Sequence, residues 1–233
     1  MKTFDKILQE LDKNSHGEAM AAVLTMIDWK QAFPRQDPTL AIQSFINNGV
    51  RPSLIPILMS FFEDRRMTVK WRDAMSAVKR LKGGGPQGST KGVLSYMSQS
   101  NNNSDCVPLE ERYKYFDDLT VLEFVSLLNV GLSSQNVRLS VPSNLPSHNQ
   151  FIPRDHLKTQ VYLKKISKWT EDNLMMLNVN KTKCLLVNNS KKYKFTTGLV
   201  MNDQTLEIVD EAKLLGTFIT SDLKWDKNTD LEK

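Results

Sequence analysis

The run Ala21-Ala22-Val23-Leu24-Thr25-Met26-Ile27 carries a single hydroxyl and no charge, and Asp28 ends it. An apolar stretch of that length, without polar alternation, suits a buried strand of a sheet. Asp28 then stands where the strand reaches the sheet edge. Around this strand the chain reads as mixed. Phe4, Ile7, Leu8 and Leu11 predict a short amphipathic helix over 3–12, and His16-Gly17 break it. Helices are predicted over 39–48 (stopped by Gly49), over 53–62 and around 93–99, with a short strand over 67–71. Residues 112–124 read as a hairpin with Asp117-Asp118 at its turn. Leu157 to Leu177 reads as a helix with Tyr162, Ile166 and Trp169 on one face, and strands follow over 184–187, 193–201 and 214–219. Residues 131–155, rich in Ser, Pro and Asn, predict a long exposed connection. This is an α+β pattern, hairpins and helices packed on one sheet.

The remaining composition narrows the class. Cys106 and Cys184 are too few and too far apart for a disulfide framework or a cysteine zinc site, and His16, His148 and His156 are scattered. No apolar run approaches the roughly 20 residues of a membrane span, and the N-terminus has no signal-peptide core. The expectation is an intracellular chain without a membrane partner, its compartment (nucleus or cytoplasm) open. Asn102-Asn103-Ser104, Asn180-Lys181-Thr182 and Asn188-Asn189-Ser190 then match the glycosylation pattern by chance. The net charge of +5 is uneven. Residues 63–91 hold eight basic side chains against three acidic ones, residues 158–194 nine lysines against two acids, and residues 203–233 eight acids against four lysines. The two basic stretches suit a phosphate-binding surface, since neutralised phosphates release counterions. Solvated faces would read the same way.

Three places could carry chemistry. Adjacent carboxylates at Asp117-Asp118 raise each other's pKa, so a protein that needs both ionised supplies a cation. With Asp28 as a third oxygen donor, the set suits hard divalent ions. Lys82-Gly83-Gly84-Gly85-Pro86-Gln87-Gly88 is a loop that no regular element would choose. Taken singly, an Asp-Asp pair is a turn, a glycine run is a connection, and Phe33 is a core aromatic.

Their order adds more. Asp28-Trp29-Lys30-Gln31-Ala32-Phe33, then Gly84-Gly85-Pro86-Gln87-Gly88-Ser89, then Tyr115-Phe116-Asp117-Asp118 resembles the palm of a reverse transcriptase. Leu177-Asn178-Val179-Asn180-Lys181-Thr182 resembles that family's next motif. Leu214-Leu215-Gly216-Thr217-Phe218-Ile219 with Leu223-Lys224-Trp225 resembles its primer-gripping hairpin. The wording of the last two is closest to non-LTR (LINE-like) retroelement polymerases. The resemblance covers roughly residues 20–226.

It implies an α+β polymerase palm, an antiparallel sheet with helices on one face. The chain would divide into an N-terminal helical remnant (1–20), a palm-like domain (21–226) and a tail (227–233). Asp28, Asp117 and Asp118 would hold two Mg²⁺ (or Mn²⁺) ions, joined by a backbone carbonyl of Ile27 or Trp29, for transfer of dNTPs onto a primer 3′-hydroxyl. Phe33 would exclude a 2′-hydroxyl, and Gln87 and Gly88 would steady the nucleotide. Lys181 would protonate departing pyrophosphate, and Leu215-Gly216 would position the primer end. The partners would be an RNA or DNA template with its primer, and dNTPs.

The sequence departs from the family in places. Only 27 residues precede Asp28 and the chain ends soon after Trp225. The expectation is that fingers are largely missing and the thumb absent, to be supplied by a second chain or a further segment. Pro34 stands where many relatives place an acid, and Thr90-Lys91 replaces an apolar pair. The alternative is therefore a catalytically inactive, truncated retroelement remnant that at most binds nucleic acid. A nucleotide cyclase would also use carboxylates and two metals, but the glycine loop and the Leu-Asn-x-Asn-Lys-Thr stretch count against it.

Overall fold

The computed structural model describes residues 2–13, 20–86, 88–126, 150–152, 154, 157–188, 193–195, 198–224 and 226–229. Gln87, Trp225 and most of the connection over 131–155 lie outside them. In chain order the elements are α1 (Lys2–Lys13), β1 (Met20–Ile27), α2 (Pro38–Asn47), α3 (Ile55–Phe62), β2 (Arg66–Met67), β3 (Lys70–Trp71), β4 (Ala74–Met75), β5 (Lys79–Arg80), α4 (Thr90–Ser100), β6 (Arg112–Tyr115) and β7 (Asp118–Ser126). Then follow β8 (Gln150–Ile152), α5 (Lys158–Asp172), β9 (Lys183–Val187), β10 (Tyr193–Phe195), β11 (Val200–Met201), β12 (Gln204–Thr205), β13 (Glu207–Val209), β14 (Glu211–Leu214), β15 (Thr217–Thr220) and α6 (Asp226–Thr229). Among the described residues no helix is long and apolar enough to cross a membrane.

Two compact units emerge. The first comprises Met1–Asp28, Val107–Ser167 and Asn178–Lys233, and the second Trp29–Cys106 and Lys168–Leu177.

The first unit is built on a five-stranded sheet in the order β13-β9-β1-β7-β6. The apolar run takes the centre, as its composition demands. β1 pairs antiparallel with β7 and with β9, and residues 21–24 are fully buried. On one face Ala22 and Leu24 of β1 meet Leu122 of β7, Leu185 and Val187 of β9, and Ile219 of β15. α1 lays Ile7 and Leu11 on this cluster, so the first helix belongs to the core of the unit. Each such Leu or Ile contributes roughly 1.5–3 kcal/mol by leaving water.

Two expectations about the sheet need correction. β13 pairs parallel with β9, so the sheet is mixed and not purely antiparallel. Helices do not keep to one face. Strand alternation turns Glu123 away from the face that α1 covers, and there its carboxylate accepts the backbone N–H groups of Lys158 and Thr159 at the start of α5 (both 2.9 Å) and the Thr159 hydroxyl (2.7 Å). A buried carboxylate thus caps a helix from another element, satisfying donors the helix leaves open.

In the second unit α2 and α4 pack together. Asp37 caps α2, its side chain accepting from Leu40 N–H (3.0 Å), with Pro38 in the first turn. Ser89 caps α4, which starts at Thr90, ahead of the span predicted for it. Gly92 is buried in its first turn, where an added Cβ would run into the Pro86 carbonyl. α5 ends at Asp172, short of the predicted Leu177, because Leu174 turns to φ 54°.

Candidate active site

The register of the first unit's sheet brings two acidic segments together. The last β1–β7 pair is Ile27 with Leu119, so Asp28 leaves β1 at the end where Asp118 enters β7. β6 and β7 form a hairpin whose closing pair is Tyr115 with Asp118. Its turn residues are therefore Phe116 and Asp117, one position earlier than expected, and Asp118 is the first strand residue. Phe116 has φ 59°, a left-handed conformation that glycine or asparagine favours. An aromatic there stores about 1–2 kcal/mol of strain, directly before the acidic pair.

The carboxylates feel one another. Burial pushes the Asp118 carboxyl above the ordinary aspartate range, and the charges of Asp117 and Asp28 push it further the same way. Three oxygen-donor side chains in one electrostatic neighbourhood suit a hard divalent cation, which would reverse that penalty. Among the described residues, no group of three Asp, Glu, His or Cys side chains stands closed enough to hold a metal as they are. The donor chemistry, three carboxylates, is of the kind a hard divalent ion takes.

Asp28 is held from behind. Its N–H donates to the Thr182 hydroxyl (3.2 Å), and its carbonyl accepts from Asn178 N–H (2.9 Å). Thr182 is fully buried and donates its own hydroxyl to the Asn178 carbonyl (3.1 Å), which also accepts the N–H groups of Lys181 (3.0 Å) and Thr182 (2.9 Å). The turn 178–182 is thus a clamp on the main chain of Asp28. Lys181, the residue singled out there, is exposed on this turn. Asn178 and Thr182 sit in the same stretch, but their role depends on a partner distant in sequence, Asp28 being 154 residues before Thr182.

Leu215 and Gly216, read as strand, instead form the tip of the β14–β15 hairpin, with φ of 47° and 91°. That hairpin pairs apart from the five-stranded sheet, its base held on the core through the paired Ala212 and Ile219, with Leu214 nearer the tip also packed there.

The second unit carries the remaining candidates. Phe33 is half-buried and stacks on Tyr96 of α4, with ring centroids 4.8 Å apart and planes at 29°. The glycine loop docks on the segment that holds it. Gly85 N–H donates to the Phe33 carbonyl and Gly84 N–H to the Gln36 carbonyl, both at 2.8 Å. Gly84 adopts φ 83°, and a Cβ there would lie 2.8 Å from the Pro34 carbonyl oxygen, so only glycine fits. Gln36, which sequence reasoning passed over, is buried between the loop and α4 and accepts from Ser95 Oγ (3.0 Å). Gly88 is exposed with φ 82°, and Gln87 lies outside the described residues.

No family model matches the chain, and no curated protein does. Solved structures do. The apo telomerase of Candida tropicalis, truncated of its C-terminal domain, aligns with 96% of this chain at a TM-score of 0.52 and 14% identity. The chain spans 39% of the length of that telomerase chain. The apo telomerase of that organism aligns at a TM-score of 0.49 and 14% identity, covering 96% of this chain and 35% of its own. Its complex with the TWJ fragment of telomeric RNA aligns at 0.49 and 13%, covering 97% and 33%. Telomerase is a reverse-transcriptase-related polymerase. The chain has a reverse-transcriptase-like α+β fold.

Proposed function

We propose that this chain is the palm of an RNA-directed DNA polymerase of non-LTR retroelement type. The observation that supports this reading is the register at one sheet end, which sets Asp28 beside Asp118 while Asp117 fills the adjoining turn. These three carboxylates would hold two Mg²⁺ or Mn²⁺ ions. When bound, such ions would acidify a primer 3′-hydroxyl and neutralise charge on the phosphates of an incoming dNTP.

The chain's own residues carry the rest. The clamp by Asn178 and Thr182 fixes the main chain from which the Asp28 carboxylate projects. The primer 3′-oxygen, its proton passed to water, bonds to the α-phosphorus as the bond from that phosphorus to the β-phosphate oxygen breaks. Lys181 gives the proton that pyrophosphate takes on leaving. Phe33, stiffened by Tyr96, presents a ring against the sugar and rejects a 2′-hydroxyl by clash. Gln87 and Gly88 steady the nucleotide, and Leu215-Gly216 the primer end.

Primer extension on a poly(rA)–oligo(dT) duplex tests the reading, beside an Asp117→Ala/Asp118→Ala control. Divalent-dependent extension that the control lacks is the expected result. Salt-sensitive nucleic-acid binding by a folded chain, with no synthesis under any divalent ion, would replace it with the inactive remnant.

A further inference from the structure

Between α3 and the glycine loop, the second unit extends a ribbon that the polymerase reading does not use. Arg66 pairs with Arg80 and Met67 with Lys79, then Lys70 with Met75 and Trp71 with Ala74. Two residues, 68–69, face three, 76–78, so the returning strand carries one extra residue, a bulge that raises the local twist. Every residue from 66 to 80 is exposed. Alternation gives the outgoing strand two different faces. One carries Arg66, Thr68 and Lys70. The other carries Met67, Val69 and Trp71, which are 49%, 57% and 73% exposed.

An apolar row left in water on a two-stranded ribbon marks a contact surface. The charges say with what. From 66 to 80 there are five basic side chains and one acid, Asp73. Asp64 pairs with Arg66 (2.7 Å) and Arg80 (3.0 Å) at the base. Among the described residues Lys70, Arg72 and Lys79 carry no ion pair; Lys79, paired with Met67, lies on the face of Trp71, Arg72 follows Trp71 at the turn, and Lys70 lies on the opposite face. A hydrophobic protein groove would leave these cations without counter-charge. A phosphate backbone supplies it, and an unpaired base offers a face for an indole to stack on.

We propose that the ribbon 66–80 binds single-stranded nucleic acid, with Trp71 stacked on a base and Lys70, Arg72 and Lys79, on its two faces and turn, taking phosphates of the strand that passes around it. This deepens the nucleic-acid part of the reading above and does not depend on the aspartates.

Fluorescence anisotropy of the full chain with labelled single-stranded RNA and DNA, over a salt series, tests it. Lys70→Gln/Arg72→Gln/Lys79→Gln is expected to flatten the log–log salt slope by about 2, from roughly 0.7 per single-strand phosphate contact. Trp71→Ala is expected to weaken binding roughly tenfold with the slope unchanged. These are exposed positions, and unchanged unfolding midpoints confirm that the variants fold. Wild-type affinity and slope in both variants would overturn the proposal and leave the ribbon as a protein contact. If primer extension fails while the ribbon variants still weaken binding, the polymerase reading falls and the ribbon stands.

Discussion

Thr182→Val isolates the clamp behind Asp28. Valine has nearly the shape of threonine, and the site is fully buried, so packing changes little. The hydroxyl serves two partners. The Asn178 carbonyl keeps the N–H groups of Lys181 and Thr182 and stays satisfied. The Asp28 N–H loses its acceptor and gains none. An unsatisfied buried donor costs about 1–3 kcal/mol. The 3.2 Å length of this bond and the half-exposure of Asp28 point to the lower part, about 1–2 kcal/mol. Global stability alone is a poor readout, because Thr182→Ser also costs about 1 kcal/mol through its lost methyl group. Amide hydrogen exchange is local. In Thr182→Val the Asp28 amide should exchange roughly tenfold faster relative to the Leu24 amide in the same sample, as 1.4 kcal/mol is a factor of ten. Thr182→Ser should keep the wild-type ratio. An unchanged ratio in the valine variant would refute the clamp.

Glu123→Ala should destabilise the chain by about 3 kcal/mol in urea unfolding, because three hydrogen bonds to a buried charged acceptor are lost at once; a loss under ~1 kcal/mol would contradict the cap. Gly92→Ala reverses the usual helix rule. Alanine normally gains about 1 kcal/mol over glycine in a helix, yet here its Cβ meets the Pro86 backbone and should lower the unfolding midpoint, costing about 1–3 kcal/mol. Asp118→Asn should stabilise the metal-free chain at pH 7. The folded-state pKa of Asp118 is raised, so its ionisation carries no penalty below the unfolded value near 3.9 and the full penalty above the folded value. The gain in urea midpoint should therefore vanish as pH falls towards about 3.9, and a gain that persists there would place the cause elsewhere.

The parts of the fold written in local pattern were legible. The uncharged run 21–27 read as a buried strand, and it is the centre of the sheet. The turn before Asp118 was misplaced by one residue, since the left-handed position holds Phe116 where the pattern asks for glycine. Apolar spacing carried α5 on to Leu177, whereas one positive φ at Leu174 ends it earlier. Likewise, Leu215-Gly216 continue an apolar stretch yet make a turn. The remaining misses are contacts over long sequence separation. Glu123 reads as a polar interruption of a strand until its partners 35 and 36 residues on are known. It lies on β7 beyond Asp118 by five residues, about 17 Å, so it caps a helix and is no fourth member of the acidic cluster.

The account rests on Asp28, Asp117 and Asp118 acting as one divalent-cation site, and Mn²⁺ binding followed by electron paramagnetic resonance tests that without any polymerase assay. The free Mn²⁺ signal should fall on titration with the wild-type chain and recover when Mg²⁺ competes. It should stay near the protein-free level with Asp28→Asn/Asp118→Asn, whose fold the urea transition reports. Equal Mn²⁺ binding by the folded double variant would contradict the account, because the ions would then be held elsewhere.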